Sequence, residues 1–333
     1  MQKYQYDSGV GTPKYLDIDT YRQTFYSKED EMIPIYGMGV HLGGLWGGGS
    51  NFVIDEEPKP VPEILKIGYY SYVENKFFEG EFILPSDKIE KYLQERKNIF
   101  ETDVVNPKYN YFSIGVTLQG MIVLWIKGTE DQIEIGRFYA NEVFYKNYSD
   151  IFDDERSQDE VYKGWFKNFD NDLKKKIVSN NLPYDLWETY REKYNLSYNT
   201  SKELVWFQIQ MINMEKETYY GDSINKCVLQ KERAIPYNLW FKWKDNGQLY
   251  EARIILAKDE KYYRAIYKAE STLTFPEDYR EEEVFAIFQK IDKSIPVELF
   301  IKINQDNTHV LVYIRQDNKE YQIPNFTFKV FNI

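Results

Sequence analysis

Seven glycines crowd residues 37–49 (Gly37, Gly39, Gly43, Gly44, Gly47, Gly48, Gly49), interleaved with Met38, Val40, His41, Leu42, Leu45 and Trp46. A glycine-rich loop of this kind invites a phosphate-cradling reading, in which backbone N–H groups face an anion. The specific pattern is missing: no Lys followed by Ser or Thr closes the loop, and no strand-to-helix setting frames a dinucleotide fingerprint. The preferred reading is structural, with glycines allowing left-handed backbone and close approach to a neighbouring sheet while Leu45 and Trp46 plug inward. His41 has the titration range of a general base. No Gly-x-Ser-x-Gly elbow accompanies it, and no serine or cysteine has evident activating neighbours, so a triad would rest on one histidine.

Glu79 and Glu81 alternate along one strand and share a face, as a glycosidase pair would, although such pairs usually form a solvated face. Six acids between residues 150 and 160 lack the glycine and terminal glutamate of an EF-hand loop and read as a linker. Cys227 is the single cysteine, so neither an internal disulfide nor a thiolate metal cluster can form. With only His41 and His309 besides, a zinc site would lean almost wholly on carboxylates, and no metal or cofactor is expected. Within the interaction reading, the candidate partner-binding residues are His41, Leu45, Trp46, Gly47, Glu79 and Glu81.

A formal charge of -11 repels a phosphate backbone, which argues against nucleic acid and admits a basic protein partner. No stretch approaches the length and apolarity of a membrane span. The polar N-terminus carries no signal-like apolar core, so the expected compartment is the cytoplasm, or the periplasm or a lipid anchor if a leader has been removed.

The elements that must position these residues are mostly strands. Thirty tyrosines and 21 phenylalanines against 18 glycines favour pleated surfaces over an all-helical fold. Residues 2–26 suggest two strands around Gly11, Thr12 and Pro13. Ile67–Phe77 and Phe78–Leu84 read as a hairpin turning at Glu74 and Asn75. Ser86 is placed to cap a helix ending near Lys97, with Ile89, Tyr92 and Leu93 at helical spacing. Strands then follow at 112–118, 121–126 and 132–139. Residues 161–176 and 182–194 read as helices, and 202–214 as helix or, over 205–211, strand. Asn246-Gly247 is a strong hairpin signal. Around it, Phe78, Glu79 and Leu84 align with Tyr250, Glu251 and Leu256; further on, Met121 aligns with His309 and Phe138 with Phe326. With a helix at 280–290, this predicts a divergent second copy of 64–138.

The run Tyr70-Ser71-Tyr72-Val73-Glu74-Asn75-Lys76-Phe77-Phe78-Glu79-Gly80-Glu81-Phe82, followed by Leu84-Pro85, resembles the central motif of the bacterial family known as domain of unknown function 2931. The Trp46–Gly49 loop, the Ile114–Gly128 strand pair with Glu134–Phe138, and Leu186, Trp187, Tyr190, Arg191, Tyr194 and Asn195 fit the same order, over roughly residues 4–200. The resemblance implies no catalytic residues, and it implies lipoprotein-like relatives.

The expected fold is α+β with mainly antiparallel sheets: a β-rich unit over 1–150, a helical bridge over 151–230 and a β-rich unit over 231–333, both β-rich units of ββαβββ type. The expected function is non-enzymatic protein interaction, in the specific form of an immunity-type toxin neutraliser. The alternative is a small-ligand or glycan-binding or hydrolytic protein using the glycine-rich loop.

Overall fold

The computed structural model describes residues 2–13, 16–43, 46–48, 57–98, 105–182, 184, 192–256, 281–323 and 325–332. It comprises two compact units, residues 1–184 and 185–333. Strands predominate in both, with a few short helices, so the α+β class holds.

In the first unit the strands are β1 (Lys3–Tyr4), β2 (Asp7–Gly11), β3 (Ile18–Tyr26), β4 (Met32–Pro34), β5 (Gly39–His41), β6 (Lys59–Pro60), β7 (Ile64–Ser71) and β8 (Lys76–Ile83). Helix α1 (Ser86–Gln94) follows, then β9 (Arg96–Asn98), β10 (Val105–Pro107), β11 (Tyr111–Val116), β12 (Met121–Lys127), β13 (Gln132–Tyr139) and β14 (Asn141–Val143). Two helices, α2 (Gln158–Asn168) and α3 (Asn171–Val178), close the unit.

One sheet runs β2-β11-β12-β13, with β2 and β11 parallel and the other pairs antiparallel. The other runs β14-β8-β7-β3, and both β4 and β5 pair with the far edge of β3. A single core joins them: Val10, Phe112, Ile114, Ile122 and Leu124 from the first sheet meet Phe25, Leu65, Ile67, Tyr69 and Phe78 from the second, with Ile89 and Leu93 of α1. Phe112 takes the edges of Tyr6 and Phe25 at 5.0 and 5.6 Å, a geometry that adds to simple area burial. The run Met121–Ile126 is buried on both faces, as its unbroken apolarity requires.

Local chemistry explains most boundaries. Gln119 and Gly120 both have positive φ (57° and 77°), which turns β11 tightly into β12. Ser157 and Glu160 form a reciprocal capping box at the start of α2, and Asp170 caps α3. Ser86 departs from expectation: it opens α1 without capping it, since Pro85 holds the cap position and no side-chain cap bond forms. That helix stops at Gln94 because Arg96–Asn98 go on to pair with Val105–Pro107.

In the second unit the strands are β15 (Lys193–Thr200), β16 (Leu204–Met211), β17 (Lys216–Tyr220), β18 (Lys231–Ala234), β19 (Pro236–Asp245) and β20 (Gln248–Leu256). Helix α4 (Glu281–Phe288) precedes β21 (Val297–Ile303), β22 (Val310–Gln316), β23 (Lys319–Ile323) and β24 (Asn325–Asn332). One sheet runs β18-β15-β21-β22-β23, with β15 and β21 parallel. The other runs β17-β16-β19-β20-β24, antiparallel throughout. Of the segment expected to be a helical bridge, α2 and α3 are its α-helices among the described residues; from Lys193 onward it is mainly strand, with one 3-10 turn of helix at Gly221–Lys226. Residues 204–211 resolve to strand because Phe207, Ile209 and Met211 alternate inward. Most of the helix expected at 182–194, with Leu186, Trp187, Tyr190 and Arg191, lies outside the described residues.

Candidate functional site

Strand β3 is the scaffold of the site. Along Ile18–Thr20 its open edge receives the short strand β5, with Ile18 opposite His41, Asp19 opposite Val40 and Thr20 opposite Gly39. Gly39 has φ of 120°, and a Cβ there would meet nothing within 4 Å, so its glycine serves backbone conformation rather than space. The Thr20 hydroxyl donates to the Gly39 carbonyl (3.2 Å) and accepts from its N–H (3.1 Å). The Gln23 amide donates to the carbonyls of Ile35 and Tyr36, fixing the approach to β5, and Asp17 Oδ1 accepts from Gly43 N–H at 2.6 Å, fixing its exit.

His41 points inward at 6% exposure, with Nε2 3.0 Å from Thr20 Oγ1. Burial lowers its pKa to about 4, so the ring is neutral at pH 7 and a weak base. A histidine whose pKa falls on folding binds its proton more tightly in the unfolded chain. Its contribution to stability is therefore full above about pH 6.5 and is lost as pH falls toward 4. Asp17 and Asp19 act oppositely, since burial raises both and acid favours their folded form. The wild-type minus His41→Asn difference isolates the histidine. Between pH 7 and 4.5 wild type should lose about 2 kcal/mol more stability than the variant, measured by urea unfolding. Parallel pH profiles would show that His41 is not buried neutral.

The outward positions of the same segment are apolar. Met38, Val40 and Leu42 are 64%, 51% and 63% exposed, alternating with Gly39 and the inward His41. An apolar stripe therefore faces solvent along β5 and the residue beyond each of its ends, and among the described residues that strand pairs on one side only.

Trp46 lies on the other sheet's outer face. It is 1% exposed and meets Trp125 edge-to-face, with ring centroids 5.0 Å apart. Gly115 makes this possible, since a Cβ there would lie 2.5 Å from both rings. The neighbouring backbone is held by Gln132 Nε2 donating to the Gly47 carbonyl at 3.0 Å and by Lys127 Nζ donating to that of Gly48. Trp46 and Gly47 thus anchor the loop, while His41 braces the edge strand. Leu45 lies outside the described residues.

Glu79 and Glu81 both project from β8, and each has its own partners. Glu79 Oε1 accepts from the hydroxyls of Tyr21 (3.0 Å) and Tyr145, while Glu81 pairs with Lys66 at 3.0 Å. Glu79 is set in an aromatic layer in which Tyr21 meets Tyr145 and Phe152 edge-on. Neither carboxylate belongs to the β5 stripe. Elsewhere Cys227 is buried, its thiol pushed up to about 11, and His309 bonds Thr308 at an exposed turn. Among the described residues, no three of His, Cys, Asp and Glu come together as a cation would require, and no helix is long and apolar enough to cross a membrane.

The site residue that sequence reasoning missed is the apolar stripe itself. Its signal was present in the alternation Met38-Gly39-Val40-His41-Leu42, masked by attention to the glycines between. These features define an α+β, mainly β-sheet protein with a braced, apolar edge strand. Within that class the chain belongs to the family described as protein of unknown function (DUF2931), whose model matches residues 1–185. The matched region coincides with the first compact unit almost to the residue. No curated protein and no solved structure matches the chain.

Proposed function

We propose that the protein is a non-enzymatic interaction module that docks an extended segment of a protein partner along β5. The observation that carries this reading is the exposed apolar run of Val40 on the edge strand β5 and Met38 and Leu42 just beyond its two ends, with the inner side braced by Thr20, His41 and Asp17. Edge strands that must stay free of company are usually blunted by charge or proline, and this one presents Val40, flanked by the exposed apolar side chains of Met38 and Leu42. Adding a strand there would satisfy backbone groups by pairing, while alternate side chains supply selectivity. The overall charge of -11 favours a basic partner by steering its approach. An immunity-type neutraliser of a secreted bacterial toxin is the specific form we favour, since such a role needs tight coverage of a partner and no chemistry. Co-purification from the native source, followed by titration of the captured protein against the full chain and an edge-strand variant, tests it.

We further infer that the two units are copies of one fold, as the ββαβββ pattern predicts. Each has one parallel pair (β2/β11, β15/β21) within one sheet, at its edge in the first unit and one strand in from the edge in the second, and an antiparallel order (β3-β7-β8-β14, β16-β19-β20-β24) in the other. The register irregularity between Thr20 and Arg22 corresponds to that between Leu204 and Trp206. Opposite Thr20 stands Tyr69, stacked on Phe78 at 5.3 Å; opposite Leu204 stands Trp243, stacked on Tyr250 at 5.5 Å. An experimental structure should superpose these two stacked pairs when the units are overlaid by their strands. A register offset of even one residue would put opposite faces in correspondence and count against duplication.

A further inference from the structure

The second unit holds a half-open cavity of about 220 Å³ beneath the chain between β17 and β18. Its floor is Tyr198, Leu204, Phe207, Cys227 and Ile301, all buried. Val228, 49% exposed, continues the apolar lining toward the surface. An apolar cavity of about 150 Å³ accepts benzene, so this one has room for one ring and a short chain.

Two charged residues line the cavity, and they differ in what they already hold. Lys202 is paired with Asp245 at 2.9 Å. Glu203 is exposed, and among the described residues its carboxylate makes neither a hydrogen bond nor an ion pair. The cationic member is therefore committed and the anionic one is free. The Cys227 thiol, pushed up to about 11 by burial, stays protonated at neutral pH and adds no charge. Asn199 is engaged as well: its Nδ2 donates to Glu298, and its Oδ1 accepts from the Thr200 N–H.

A free carboxylate beside an apolar hollow selects by charge and by shape together. An anion would meet Glu203 with no uncommitted cation in the lining to offset it, and a neutral molecule would gain only the floor. An ammonium group on an apolar body gains both. The body supplies most of the affinity through burial. The ion pair, at an exposed carboxylate, is screened and adds a few-fold that fades as salt rises. The chain's charge of -11 draws cations to its whole surface, so this carboxylate must be told apart from the general field.

We propose that this cavity binds a small organic cation, a primary ammonium group on an apolar body, with the body over the floor and the ammonium at Glu203. Phenethylammonium is the probe, 2-phenylethanol its neutral counterpart of equal size, and propylammonium the same charge without the ring. In ligand-observed NMR on the full chain at low salt, wild type should bind phenethylammonium saturably, about three- to five-fold tighter than 2-phenylethanol and at least about five-fold tighter than propylammonium. Glu203→Gln, at an exposed side chain, should unfold as wild type does and bind phenethylammonium and 2-phenylethanol alike. Asp222→Asn removes an equal charge from the chain between β17 and β18 but not from the cavity lining, and should keep the wild-type preference. The proposal is overturned if folded wild type binds phenethylammonium no better than the alcohol, or propylammonium as well as phenethylammonium. It is equally overturned if Glu203→Gln keeps the preference, or if Asp222→Asn loses it to the same extent, the mark of overall charge acting alone.

Discussion

Trp46→Ala should lower stability by about 3–5 kcal/mol, the cost of truncating a fully buried tryptophan whose surroundings relax only in part. The Trp46 ring is enclosed against Trp125 and over Gly115, where the absence of a Cβ leaves the gap it occupies. Removing it leaves a cavity on the outer face of β11 and β12 and frees the carbonyls of Gly47 and Gly48 from the geometry that Gln132 and Lys127 complete. For a unit of this size the midpoint of thermal unfolding should fall by roughly 10 °C. Gly115→Ala should act in the same direction, because neither ring can yield without losing the other. A ligand-stacking tryptophan would behave differently: truncation would abolish binding and leave unfolding almost unchanged, and that result would return the glycine-rich loop to the ligand-binding reading.

The sequence made the local elements legible wherever one face is apolar and a turn is chemically marked. Asn246-Gly247, with φ of 49° and 80°, closes β19 and β20 at the expected place, and the strand expected at 132–139 is found at those residues. What it could not show is long-range pairing. The parallel contact of Asp7–Gly11 with Tyr111–Gly115 joins segments a hundred residues apart, and nothing in either marks the other. The helix expected over 182–194 overran at its end for a related reason: pairing with β18 and β21 draws Lys193–Thr200 into a sheet, and nothing local in that stretch marks its partners. At the site, glycines dominated the sequence signal. Their structural task was foreseen, but the outward stripe between them became visible only once β5 was seen to pair on one side.

The second large effect concerns that stripe. Met38, Val40 and Leu42 together offer enough apolar surface that covering them should contribute about 4 kcal/mol to a complex, at about 25 cal/mol per Å². Changing all three to lysine removes this term and sets three cations against a basic segment, so affinity should fall by about a thousandfold or more. Because all three side chains are exposed and none belongs to the core, the variant should unfold at nearly the wild-type temperature. His41 and Thr20, on the inner side of the same strand, should affect stability first and binding only through the shape of the edge.

The decisive measurement is calorimetric titration of the partner co-purified from the native source against wild-type protein and the Met38→Lys/Val40→Lys/Leu42→Lys variant, with folding of both verified by thermal unfolding. Docking along β5 predicts saturable binding to wild type and a loss of about a thousandfold in the variant. Equal affinity for the two proteins would place the interface elsewhere and contradict the edge-strand account.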